Sequence, residues 1–387
     1  GGFWTPVVHN LFAHSITLSN PEKTIAEWET LQYNRRVRKG AGPVEQHEIT
    51  AAGPLLDEQG NLREPGYAKR LLPVYSRNQI KVSAMRVKEW DYYLVMNGQF
   101  ALALTIADNG YMGLDSISLM DFWENTQITK SPMRLMPLGR TGMPPTTVEG
   151  DSASAGRSYS LLFRREEERR TLHAHMDSFR GRESLDAYVE LTEEPEESMV
   201  ICTPFDKPGH FYFNQKINCL RAKGKVTVGE DEYMLDPADS FAVLDWGRGV
   251  WTYHNTWYWA SASGLVEGVP FGFNLGYGFG DTSAATENML FYNGKAHKLS
   301  KVRFKIPGRR RRRRYMEQWE FTSDDGRFEM RFDPILDRSA HASAVGLVKS
   351  DQHQIFGKFT GLALLDDGTE IFVKDFLGFA EEVENKW

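Results

Sequence analysis

Tight turns set between short alternating segments are the feature that most restricts what this chain can fold into. Gln99 to Ala107 reads QFALALTIA, is closed by Asp108-Asn109-Gly110, and is followed by a second alternating segment from Tyr111 to Phe122. An Asn-Gly pair in that setting is the strongest short-range hairpin signal. Asp324-Asp325-Gly326 and Asp366-Asp367-Gly368 repeat it late in the chain. Ile80, Val82 and Ala84 alternate with Lys81, Ser83 and Met85, and Tyr92 to Val95 continue that expected strand. Antiparallel strands joined by tight turns make a meander, which closes most simply into an up-and-down barrel. Helical period is scarce, with Thr24 to Trp28 the one plausible helix.

The 387 residues, at about 150 per domain, give room for two or three domains. Residues 1–50 read as a lead-in packed on the barrels, 51–200 as a first barrel-like domain and 201–387 as a second. The boundary is placed near the acidic, proline-broken segment Thr192 to Glu197. Within the second domain, Phe211–Gly224, Lys225–Tyr233, Phe241–Trp246, Thr256–Leu265 and Phe271–Tyr277 are the expected strands. The prediction is an all-β protein of two tandem antiparallel β-barrels with little helix.

A net charge of −6 leaves no global basic field to draw nucleic acid. Cys202 and Cys219 are too few for a disulfide framework, though one bridge between them stays open, and they lack metal-ligand spacing. No apolar run approaches the length of a membrane-spanning helix. The first residues, Gly1-Gly2-Phe3-Trp4, lack a signal-peptide pattern, and a soluble, cytoplasmic protein is expected.

Ten Trp, 15 Tyr and 23 Phe are many for this length, and they bunch. Asp245-Trp246-Gly247-Arg248-Gly249-Val250-Trp251-Thr252-Tyr253-His254-Asn255-Thr256-Trp257-Tyr258-Trp259 holds four Trp, with Asp, Arg and His among them. A strand beginning near Asn255 puts Trp257, Trp259, Ser261 and Ser263 on one face. Gly247 and Gly249 are expected to turn the backbone sharply, so that Asp245 and Arg248 project at a barrel mouth. Asp245, Tyr253 and His254 are then candidate proton donors or acceptors. Trp246, Trp251, Trp257 and Trp259 form a ligand wall, Arg248 orients an anionic group, and Asn274 and Tyr277 lead toward the same pocket. The competing account is a packed core with Arg248 stacked on Trp and paired to Asp245.

The Asp-Trp-Gly, short insert, Trp-x-Trp arrangement resembles the carotenoid hydratase and AttH-like group of tandem lipocalin-like (calycin) barrels, to which Diels–Alderase-type cyclases and tocopherol cyclase are related. Gly53-Pro54-Leu55-Leu56-Asp57, Arg86 to Tyr93, Ala107 to Tyr111, Asp245 to Trp251, His353 to Gly357 and Gly378 to Glu381 resemble more closely a large family known only as a domain of unknown function. That resemblance spans about residues 50–387 and implies a tandem calycin-type fold. In the hydratase-like relatives a buried acid is expected to protonate a double bond while aromatic rings steady the cation. Asp245 holds the matching position, whereas Arg248 departs from the pattern, and a guanidinium beside Asp245 would keep it ionised.

Glu89 and Asp91 flank Trp90 at i, i+2, a spacing that would suit glycoside chemistry or a surface ion pair. Tyr111 closes the Asn-Gly turn, His353 is a possible proton-transfer residue, and Glu381 stands in the final strand. His173, His175 and Asp177 share a strand face but lack a third ligand of known geometry, so no metal is expected. Neither a G-x-S-x-G elbow nor a G-x-G-x-x-G loop is present, and no cofactor is expected. The six arginines Arg309 to Arg314 read as a solvated hairpin or an anion-binding rim. The favoured function is a metal-independent acid–base enzyme (lyase, hydratase, isomerase or cyclase) acting on a small, partly apolar molecule. A lipocalin-like carrier and a carbohydrate-active enzyme are the alternatives.

Overall fold

The computed structural model describes residues 45–310, 312–344 and 348–386. The Thr24–Trp28 helix and most of the expected lead-in lie outside these residues. The regular secondary structure of the described chain is almost wholly strand, with two single-turn 3-10 helices at Arg77–Gln79 and Ala84–Arg86. The second of these turns falls in the segment where alternation from Ile80 predicted strand, and the strand begins only at Val87.

Two antiparallel sheets organise the molecule. The first runs, in spatial order, through Thr126–Lys130, Met112–Asp121, Phe100–Asp108, Val87–Met96, Phe241–Val250, Phe211–Val228, Glu183–Thr192, Arg170–Arg180, Tyr159–Arg165 and Ser152–Ala155. The second runs through Lys295–Lys298, Met289–Tyr292, Val269–Tyr277, His254–Val266, Glu370–Lys386, Val348–Leu364, Phe328–Ala344, Trp319–Ser323 and Val302–Lys305. The hairpins predicted at the Asp-x-Gly turns are present, with Gly110, Gly326 and Gly368 at φ 78°, 66° and 88°. Chain hydrogen bonding passes from one sheet to the other between Val250 and His254, not near residue 200. The strands Met199–Pro204, Phe211–Val228 and Phe241–Val250 all pair within the first sheet.

Each sheet curls until its far limb meets its near one. In the first, Ser154 Oγ and Tyr159 OH both donate to Asp115 Oδ2, at 2.6 and 2.7 Å. In the second, the Phe304 amide donates to Tyr277 OH at 3.4 Å. Alternate side chains fill the two interiors: Tyr93, Leu102, Leu104, Phe213 and Trp246 in one, and Phe271, Phe273, Trp319, Phe332 and Phe359 in the other. Cys202 and Cys219 are buried and free rather than bridged.

The remaining faces meet. Leu94, Met96, Ala101 and Val243 from the first barrel pack against Trp259, Leu336, Phe356 and Phe379 from the second. Burial of a side chain of this size contributes about 1.5–3 kcal/mol, so this apolar seam holds the barrels together. At its centre the seam turns polar.

Candidate functional site

Two cross-strand rows face each other across the seam. On the first barrel, Asp245 lies opposite Tyr92 on one neighbouring strand and Lys216 on the other. On the second, Trp259 lies opposite Glu381, Glu381 opposite Gln354, and Gln354 opposite Arg338. Directly opposed residues in a sheet bring their side chains within contact. The rows are joined by Gln354 Nε2 donating to Tyr92 OH at 3.2 Å and by the Lys216 ammonium 4.0 Å above the Trp259 ring.

Lys216 is buried and its Nζ lies 2.9 Å from Asp245 Oδ1. The Asn214 side-chain amide donates to the same oxygen at 2.6 Å. A buried ammonium is tolerated only when paired, and here it has both a carboxylate and a ring face. Trp259 Nε1 donates to Asn274 Oδ1 at 2.7 Å, and Asn274 Nδ2 donates to the Glu287 carbonyl at 2.9 Å. Burial raises the Glu287 carboxyl above its ordinary value.

Glu381 is the most perturbed acid in the seam. Only 3% of it is exposed. Its Oε1 accepts from Trp257 Nε1 at 2.8 Å and its Oε2 from Gln354 Nε2 at 3.2 Å. Burial pushes its pKa up to about 7, with the Asp245 charge adding to the rise and the Trp257 hydrogen bond, Lys216 and Arg338 opposing it. Burial likewise lifts the Tyr92 phenol to about 12, so it stays protonated. Arg338 Nη1 donates to Gln354 Oε1 at 2.9 Å, which fixes the amide so that its nitrogen faces Glu381 and Tyr92.

An aromatic box adjoins the polar rows. Trp251 meets Trp90, Trp257 and Phe279 with centroids 5.1, 5.9 and 4.9 Å away, all edge to face. Tyr212 stacks parallel to Trp90 at 6.1 Å and meets Phe279 edge-on at 4.9 Å. Trp90 and Trp257 are only partly buried and so carry the box toward the surface. Aromatic walls beside a neutral acid can accommodate an apolar ligand and a developing positive charge.

Of the residues singled out from sequence, the structure brings together Asp245, Trp257, Trp259, Asn274 and Glu381, with Trp251 in the adjoining box. Trp246 and Arg248 lie on the opposite face of their strand, inside the first barrel. Gly247 and Gly249 belong to a continuous strand, Phe241–Val250, and form no turn. Gly247 instead leaves room for the Trp90 ring, since a Cβ there would lie 1.9 Å from Trp90 Cζ2. Arg248 pairs with Asp91 at 3.0 Å, not with Asp245. It also donates to the Trp90, Gly247 and Pro144 carbonyls and stacks 4.3 Å over Trp246. These contacts commit it to the barrel interior.

Glu89 and Asp91 share a face as expected, but that face is also interior. Glu89 accepts from Tyr75 OH at 2.8 Å and pairs with Arg77, and Asp91 is shared between Arg248 and Ser152. Tyr253 is 48% exposed, and His254 sits at the surface 3.3 Å from Glu384. Tyr277 faces the second interior, stacked on Tyr258 at 4.5 Å. Tyr111 lies under the Lys88 ammonium at 4.6 Å, and His353 lies in the mouth of the second barrel. His175 is held at the surface by Asp186 and Asp177. From the arginine run, Arg313 and Arg310 turn to Glu382 and Glu384.

Sequence reasoning missed Tyr92, Asn214, Lys216, Glu287, Arg338 and Gln354. The signal available for Lys216 was a lysine in the middle of an expected strand whose ends, Phe211 to Phe213 and Cys219 to Leu220, are apolar. For Glu381 it was a carboxylate in phase with Phe379 and Val383.

The fold and the seam define a protein of two antiparallel β-barrels with a buried polar centre between them. The chain belongs to a family described as a domain of unknown function, DUF2804, whose model matches residues 46–387. No curated protein matches the sequence. Among solved structures it is similar to kievitone hydratase from Nectria haematococca, at 10% identity and TM-score 0.45, over 87% of this chain and 98% of that one. A Nitrosomonas europaea protein designated AttH aligns at 11% identity and TM-score 0.48, over 82% and 98% of the two chains. CghA aligns at 12% identity and TM-score 0.43, over 87% and 97%. Among the described residues no helix is long and apolar enough to cross a membrane.

Proposed function

We propose that this protein is an acid–base enzyme that works on a small, partly apolar molecule at the seam between its barrels, with Glu381 as the proton donor. The observation that carries this reading is a buried carboxyl, bonded to the Trp257 indole and a fixed amide beside Trp259, whose pKa burial pushes up to about 7. A general acid works best when its pKa lies near the working pH, because it is then both protonated and willing to give the proton up.

The simplest reaction is addition of water across a carbon–carbon double bond. Glu381 gives its proton to one alkene carbon, the π pair becomes the new C–H bond, and Glu381 is left as carboxylate. The adjacent carbon takes the positive charge beside Trp257 and Trp259. A water oxygen then bonds to it and returns its surplus proton to Glu381. Elimination is the same path reversed, and isomerisation or cyclisation replaces water with a neighbouring C–H or a nucleophile of the same molecule. Tyr92, Gln354 and Lys216 position the acid, and Asp245 anchors Lys216. The carrier and carbohydrate readings are not adopted. The barrel interiors are filled with side chains, and Glu89 and Asp91 are both committed to cations.

Native mass spectrometry of untreated protein identifies what copurifies, and that molecule with its alkene, alcohol and carbonyl analogues forms the assay panel. Glu381→Gln should keep binding and lose turnover. Binding by wild type without turnover of any panel member would favour a carrier, and unchanged turnover in the variant would remove Glu381 from the role.

A further inference from the structure

The mouth of the second barrel holds a cluster that the seam chemistry does not use. The long hairpin Phe328–Ala344 and Val348–Leu364 places His341 directly opposite Asp351, with His353 two residues farther along the same face. His341 Nδ1 lies 2.8 Å from Asp351 Oδ1, and His353 Nε2 lies 3.7 Å from the same oxygen. One ligand-type atom from each of the three residues falls within 4.8 Å of the others. Bonds of 2.0–2.2 Å at a tetrahedral ion set neighbouring ligand atoms about 3.4 Å apart, and the observed separations bracket that value.

Two further observations point inward to a cation. Asp337 Oδ2 meets His353 Nδ1 at 2.8 Å, so Nδ1 is the donor to Asp337 and Nε2, facing Asp351, is the nitrogen turned toward the cluster. A carboxylate on the outer nitrogen of a histidine is the usual support of a metal-binding imidazole. The Tyr315 ring stacks on His353 at 4.0 Å and 22° and fixes its plane. Asp351 Oδ1 is enclosed between the two imidazoles, 2.8 Å from His341 Nδ1 and 3.7 Å from His353 Nε2, yet makes no well-directed hydrogen bond to either.

We propose that His341, Asp351 and His353 form a binding site for a zinc-class divalent cation, with Asp337 as the supporting residue. Two imidazole nitrogens and one carboxylate oxygen suit Zn2+ and its first-row neighbours rather than Mg2+ or Ca2+, which prefer all-oxygen sets. His341 is exposed, so the fourth position opens outward to water. The site lies on the opposite face of the hairpin from Gln354 and is independent of the seam.

The full chain, stripped with chelator, is titrated with Zn2+ by calorimetry and with Co2+ by visible absorption. One ion per chain with the absorption of a four-coordinate centre is expected. His353→Ala and Asp351→Asn should abolish binding, and Asp337→Asn should weaken it by about 10- to 100-fold. His173→Ala, outside the cluster, should leave it unchanged. Circular dichroism checks each fold, and the exposed His341→Ala replaces any variant that fails to fold. Absence of stoichiometric binding by wild type, or equal binding by wild type and the ligand variants, overturns the proposal.

Discussion

Glu381 and Glu382 are adjacent in sequence and lie on opposite faces of one strand, in two separate polar centres. Glu381 meets Trp257 and Gln354 in the seam between the barrels. Glu382 meets Arg313, Tyr258 and Tyr315 in the mouth of the second barrel. Strand alternation alone separates them. A one-residue slip of that strand would exchange the two carboxylates, and register is held by the apolar neighbours on each face, Phe379 and Val383 on one and Ala380 on the other.

Glu381 should make the protein less stable as pH rises. Its folded pKa of about 7 lies above the ordinary 4.5, so between these values the folded state keeps a proton that the unfolded chain gives up. The contribution is full below 4.5, declines through that window and is lost above about 7. Glu381→Gln should flatten this part of the curve, read as urea midpoints across the window. Lys88 and Lys298, both depressed to about 7 by burial, act in the opposite sense and only above that pH.

The two charges beside Glu381 should move its ionisation in opposite directions. Lys216 favours its charged form and Asp245 disfavours it. Lys216→Met should therefore raise the Glu381 pKa, and Asp245→Asn should lower it. Carboxyl carbon NMR shifts of glutamate-labelled protein, followed against pH, check both signs.

Gly247→Ala should destabilise by at least the overpacking cost of about 1–3 kcal/mol, because the new methyl enters the Trp90 ring. The cost should shrink in a Trp90→Leu background. Chemical denaturation of the two single variants and the double variant measures that coupling.

Arg248 and Asp91 should behave as one structural unit. Arg248→Met leaves a buried carboxylate and should cost about 3–5 kcal/mol. The Arg248→Met, Asp91→Leu pair should cost less than the two single changes summed. A double-mutant cycle by denaturant unfolding tests this, and loss of cooperative folding in the single variant would agree in direction.

Tyr253→Phe and His254→Ala should each change stability by no more than about 0.5 kcal/mol, since both side chains sit at the surface. Neither should alter binding at the seam. Thermal melts and the copurifying ligand's affinity provide the check.

The sequence by itself determined most of the strands, though not the start at Val87, and it determined the hairpins at Asp108-Asn109-Gly110 and its two later counterparts and the all-β class. These depend on local backbone geometry and on alternation, both of which are written residue by residue. Parity along the strands also contained part of the site: Asp245 is out of phase with Trp246 and Arg248, while Trp257 and Trp259 are in phase with one another. Reading Gly247 and Gly249 as a turn hid that parity, because a strand interior seldom spends two glycines, and only the Trp90 ring against Gly247 explains the first. The pairing of rows could not be read at all. Lys216, Asp245, Gln354 and Glu381 come from four strands spread over 166 positions of sequence and are joined by register and by the packing of one barrel's outer face on the other. Tertiary structure alone decided that contact, and with it the burial that holds Glu381 near neutrality.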